Sequence, residues 1–72
     1  MFEAKRFLTE EIGGPQNVLS LFGLYVGRIP TYEAVQKWYA RNSISGDWLA
    51  VLLCILELDR GRPVELAGYM KE

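Results

Sequence analysis

The chain has no histidine and a single cysteine, Cys54, and these two shortages close several chemical routes. One thiol cannot form an internal disulfide, and without histidine the usual zinc-ligand sets are missing. Histidine is also the commonest general base, and Cys54 sits within Leu-Leu-Cys-Ile-Leu, where no charge would stabilise a thiolate. The expectation is a protein that is not an enzyme, with no cofactor, no metal and no small-molecule substrate. Long apolar runs are missing as well. The most apolar stretch, Trp48 to Leu56, lies between Asp47 and Glu57 and is about half the roughly 20 residues needed to span a bilayer, so it reads as a buried helix with no membrane partner. The start, Met1 to Arg6, offers no apolar segment of signal-peptide length, and a lone thiol suits a reducing compartment, so a cytoplasmic location is expected. Net charge is scarce too. Eight basic and nine acidic side chains leave −1, which by itself gives no support to a nucleic-acid partner. The charge is uneven, however: residues 1–46 carry five basic and four acidic groups, residues 47–72 three and five.

What remains is the composition of a single folded domain over residues 1–72, with 50% hydrophobic and 24% charged residues. A core this small supplies no more than about 3–5 kcal/mol of net stability, so association or very regular helix packing has to supplement it.

The apolar periodicity is helical throughout, which predicts an all-α fold of four to five helices. Ala4, Leu8 and Ile12 recur every four residues with charged residues between them, giving a helix over about 2–12. Gly13, Gly14 and Pro15 combine a helix stop with a first-turn residue, and Val18, Leu21, Phe22 and Tyr25 carry a second helix over about 15–25. Tyr25 to Pro30 shows no period and reads as a connection. Thr31 has the chemistry of an N-cap, with Glu33 in the turn that follows, and opens a helix over about 32–41. Val35 and Trp38 are its residues to bury. Its other face presents Tyr32, Glu33, Gln36, Lys37, Ala40 and Arg41, a dense set of long hydrogen-bonding groups. After a turn at Asn42 to Ser45, a fourth helix spans about 46–58, and beyond Gly61 and Pro63 a weak last segment over 64–70 has room for one or two turns. Trp48 to Leu56 is apolar on every side, more than three short helices can cover. Val51, Cys54, Leu58 and Tyr69 are therefore expected at a homodimer interface.

A helix, a connection, and a helix with a buried Val and Trp under a polar outer face is the arrangement by which a helix-turn-helix sets its second helix into the major groove. The stretches Val18-Leu19-Ser20-Leu21-Phe22-Gly23-Leu24 and Ala34-Val35-Gln36-Lys37-Trp38-Tyr39-Ala40-Arg41-Asn42-Ser43-Ile44 resemble the λ-repressor-like DNA-binding domains, and within them the small Cro-type regulators of phages and prophages. The likeness covers about residues 2–58. Gly23 and Val35 stand twelve positions apart, which implies a lengthened turn, and Leu19 stands where the family favours a small side chain.

The resemblance implies a compact λ-repressor-like helix-turn-helix fold and a nucleoid-associated repressor of transcription that binds double-stranded DNA as a homodimer on an inverted repeat. Tyr32, Glu33, Gln36, Lys37 and Arg41 would face the bases: Gln36 paired with adenine, Lys37 donating to guanine, Glu33 accepting from cytosine. Gln16 and Asn17 at the start of the second helix, with Arg28, Thr31, Ser43 and Ser45, would hold phosphates. A reading from another class is a helical protein-interaction module, an antirepressor or adaptor, which the net charge and Glu33 favour. A toxin–antitoxin partner would share the DNA-binding part.

Overall fold

The computed structural model describes residues 1–71. Four α-helices follow one another, α1 (Ala4–Glu11), α2 (Pro15–Tyr25), α3 (Tyr32–Arg41) and α4 (Gly46–Arg60), and a 3-10 turn, Leu66–Tyr69, follows them. The radius of gyration, 11.4 Å, is that of a compact chain of this length, for which about 11 Å is expected. Among the described residues the β pairing is one isolated antiparallel bridge between Phe2 and Met70.

Each helix end has a local cause. α1 begins two residues later than its periodicity suggests because the chain before it is drawn out into pairing with the C-terminal segment. There the Glu3 N–H donates to Tyr69 O at 2.8 Å and the Lys71 N–H to Met1 O at 2.7 Å. It stops at Gly13, whose φ of 126° excludes most side chains. Pro15 opens α2 in the first helical turn, where its missing N–H costs nothing. Thr31 caps α3 through its side-chain oxygen, which accepts the Ala34 N–H at 3.1 Å. Asn42 ends α3 in the left-handed conformation, φ 53°. α4 runs two residues past the expected Leu58, to Arg60, and stops at Gly61, φ 72°.

The core takes one stripe from each helix: Phe7 and Leu8 from α1, Val18 and Phe22 from α2, Val35 and Trp38 from α3, Leu52, Ile55 and Leu56 from α4. Each such side chain contributes about 1.5–3 kcal/mol when removed from water. Phe22, Trp38 and half-buried Trp48 form an aromatic cluster with ring centroids 5.5–6.4 Å apart, joining the end of α2 to α3 and the start of α4. α3 packs on both α1 and α2. Near its C-terminal end it is held by the Tyr39 hydroxyl, which donates to Gly13 O in the α1–α2 turn at 2.5 Å.

The last segment corrects one expectation. Tyr69, anticipated at a dimer interface, is buried within the chain. Its ring meets Phe7 edge-on at 5.5 Å, and its hydroxyl donates to Glu11 Oε2. Arg60 donates to Glu11 Oε1 and to the Glu11 carbonyl, so one carboxylate ties together α1, α4 and the 3-10 turn. The expected helical turn over 64–70 is reduced to Leu66–Tyr69.

Candidate nucleic-acid interface

α3 is positioned from beneath and left bare above. Val35 and Trp38 lie one turn apart and are buried, so the helix is anchored along that stripe. Tyr32, Glu33, Gln36, Lys37 and Arg41 fall on the opposite side and are all exposed. None of these five side chains makes a hydrogen bond or an ion pair among the described residues. Other cations of the chain are occupied: Arg6 pairs with Glu3 and Glu10 at 3.1 and 3.5 Å and donates to Gly68 O, and Arg60 is bound to Glu11. The positive charge of α3 is thus directed to solvent, whereas that of Arg6 and Arg60 is spent within the fold. Residues 28–45 hold three basic groups against one acidic, a local excess of +2 in a chain whose net charge is −1.

At the C-terminal end of α3, Lys37, Arg41, Ser43 and Ser45 line a shallow depression of about 260 Å³ with Ala34 and Trp38. Two of the three cations expected to touch DNA, Lys37 and Arg41, are therefore brought together with the hydroxyls of Ser43 and Ser45. Ser45 also borders a larger cleft, about 440 Å³, formed with Val26, Gly27, Arg28, Asp47, Trp48 and Val51. Arg28 lies over the Trp48 ring, 5.3 Å from its centroid, at the margin between α3 and α4. Thr31 is exposed, and its hydroxyl oxygen is engaged as the acceptor of its capping bond.

At the start of α2 the expected pair separates. Gln16 is exposed, next to the turn that Tyr39 fastens to α3. Asn17 turns back, its Nδ2 reaching toward Ile12 O at 3.5 Å, and lines a groove with Glu11, Asp59 and Arg60 on the α1–α4 side. The α2 N-terminus has no side-chain cap, Pro15 has no N–H to offer, and the Asn17 N–H is taken by Gly14 O at 3.0 Å, which leaves the Gln16 N–H directed outward.

The connection between α2 and α3 is Val26–Thr31, six residues, longer than the three or four of a tight helix-turn-helix turn. Leu19 is half-buried and packs against the core, and the space around Gly23 is open, so no close helix contact requires the absence of a side chain there. No family model, curated protein or solved structure matches this chain.

Two residues that hold α3 in place were not singled out by sequence reasoning. Asn42 Oδ1 accepts the Lys5 N–H at 2.8 Å, so the residue that ends α3 also caps the first turn of α1. Tyr39 supplies the bond to Gly13 O. Burial pushes its hydroxyl pKa above the usual value of 10.0. An Asn at a helix end is a recognisable stop, but nothing local indicates a partner thirty-seven positions away.

Proposed function

We propose that the chain is a sequence-specific DNA-binding regulator of transcription, acting as a repressor, with α3 as its reading helix and two copies placed on an inverted repeat. The observation that carries this reading is the exposed, internally unpartnered polar face of α3 above a fully buried Val35–Trp38 stripe. Within it, Gln36 has the donor–acceptor pair for adenine, Lys37 the donors for guanine, and Glu33 the acceptor for cytosine. Tyr32 and Arg41 flank them at either end of the helix. Ser43, Ser45, Arg28 and Gln16, the last with its side chain and its backbone N–H at the start of α2, are the groups suited to phosphates. A λ-repressor-like helix-turn-helix is the fold this reading assumes, with its turn lengthened to Val26–Thr31.

The test is a gel-shift series on duplex DNA between 50 and 200 mM salt. Each phosphate neutralised steepens the decline of log affinity with log salt by about 0.9. The wild type should show that decline, and Gln36→Ala with Lys37→Ala should weaken specific binding by about 2–5 kcal/mol while leaving most of the salt dependence in place. Unchanged specific affinity in the double variant would remove α3 as the reader. The alternative, a protein-interaction module on the same scaffold, is favoured by the excess of −3 outside residues 28–45 and by Glu33. It predicts no salt-dependent binding to duplex at all.

A further inference from the structure

The angle between α2 and α3 is left unset on the side where the two helices are joined. Their link is the six residues Val26–Thr31, where a tight helix-turn-helix uses three or four. Gly23 faces open space and half-buried Leu19 stands one turn before it, so no close backbone approach locks the pair. The apolar contacts between the helices, Phe22 against Trp38 with ring centroids 6.4 Å apart among them, pull them together without fixing a direction. A long link and an apolar seam leave α3 free to swing about its packed stripe.

The opposite end of the pair is fastened. Tyr39 lies in the last turn of α3, and its hydroxyl reaches Gly13 O, two residues before α2 begins, at 2.5 Å. Among the described residues this is the one side-chain hydrogen bond or ion pair between α3 and the α1–α2 turn, since the Asn42 side chain runs to α1 instead. The acceptor is held on both sides. The Gly13 N–H is bound to Leu8 O at 2.8 Å, its φ is 126°, and a Cβ there would stand 2.5 Å from Asn17 Nδ2. Beyond it, Gly14 O accepts the Asn17 and Val18 N–H groups at 3.0 and 3.2 Å, so the turn is continuous with α2. The donor is held as well, because the Tyr39 ring is half-buried and burial keeps its hydroxyl protonated well beyond neutral pH.

We propose that Tyr39 is the positioning residue that sets the angle between α2 and α3, doing from the far end of the pair what a short turn does in a tight helix-turn-helix. A hydrogen bond is directional, so it selects one orientation where apolar packing accepts several. The angle itself is independent of any ligand; its consequence for sequence recognition rests on the DNA reading of α3. Gln16 lies three residues beyond Gly13, so the same bond fixes the phosphate-suited start of α2 relative to Gln36 and Lys37. Phosphate contacts set the register and base contacts read the sequence, and discrimination needs both to be met at once. Tyr39 thereby determines specificity without touching DNA.

Tyr39→Phe keeps the ring and its packing and removes only the donor. Residual dipolar couplings of the backbone N–H vectors, measured on the full chain without DNA, report how the helices are oriented. In the wild type the couplings of α2 and α3 should fit a single alignment. In Tyr39→Phe those of α3 should be reduced or reoriented relative to α2, while α2 and α4 still fit together. In gel shifts at fixed salt, on a duplex selected by the wild type, the variant should lose about three- to tenfold in specific affinity, with non-specific affinity and salt slope unchanged. Tyr25→Phe is the control: it removes a hydroxyl bond of the same kind, from Tyr25 to Asp59 Oδ1 at 2.7 Å, and should leave both readouts at the wild-type level. A Tyr39→Phe variant whose α2 and α3 keep one alignment would overturn the proposal, as would an equal loss of specificity in Tyr25→Phe. A wild type that selects no duplex would end the DNA reading alone, because the couplings decide the angle in either case.

Discussion

Asn42 serves two helices at once, and its replacement separates the two services. Its left-handed backbone ends α3, and its side chain accepts from the first turn of α1. Asn42→Gly keeps the backbone conformation and loses the cap, at a cost of about 1 kcal/mol, whereas Asn42→Ala loses both and should cost about 2 kcal/mol in urea unfolding. The Glu11 carboxylate is the other pivotal residue. Hydrogen bonds from Tyr69 and Arg60 hold its pKa below the usual 4.5, and the same bond to Glu11 pushes the Tyr69 hydroxyl up to about 12. The carboxylate form is the one favoured by folding, so its contribution is complete above pH 4.5 and is lost as pH falls through the lowered value. For Tyr69 the neutral form is favoured: stability is complete below pH 10 and declines as pH rises toward 12. In urea midpoints measured against pH, Glu11→Gln should lower the neutral plateau and flatten the acid limb, and Tyr69→Phe should make the alkaline decline shallower, leaving the part due to Tyr25 and Tyr39, whose hydroxyls are also raised.

At the scale of elements, the helices whose boundaries depend on local chemistry were legible in the sequence. Pro15 and Thr31 fix the starts of α2 and α3 because ring geometry and hydroxyl capping act within one turn, and both helices occupy their expected spans. Thr31→Ala should therefore loosen α3 specifically, costing about 1 kcal/mol and weakening hydrogen-exchange protection at its first turn more than in α4. The ends that were misjudged depend on distant partners. α1 starts late because Phe2 pairs with Met70, and the segment over 64–70 shortens to a 3-10 turn because Tyr69 is drawn into the core by Phe7 and Glu11. Period and propensity carry no trace of contacts that span nearly the whole chain. The exposed face of α3 was legible for the converse reason: once Val35 and Trp38 are assigned inward, helical geometry fixes where Gln36 and Lys37 point.

For the whole molecule, the distribution of charge and apolar surface matters more than its totals. The net charge of −1 argued against DNA, yet residues 28–45 keep an excess of +2 while Arg6 and Arg60 are neutralised within the fold. On the proposed reading a single α3 would offer few phosphate contacts, and doubling them by association would double the salt dependence as well. The most direct test of the account is selection of bound duplexes from random DNA by the full chain. The account predicts a two-fold symmetric consensus whose half-sites are about one helical turn, 34 Å, apart, and whose base preferences change when Gln36 or Lys37 is replaced. Recovery of no enriched sequence, or of one that is unaffected by both replacements, would contradict it.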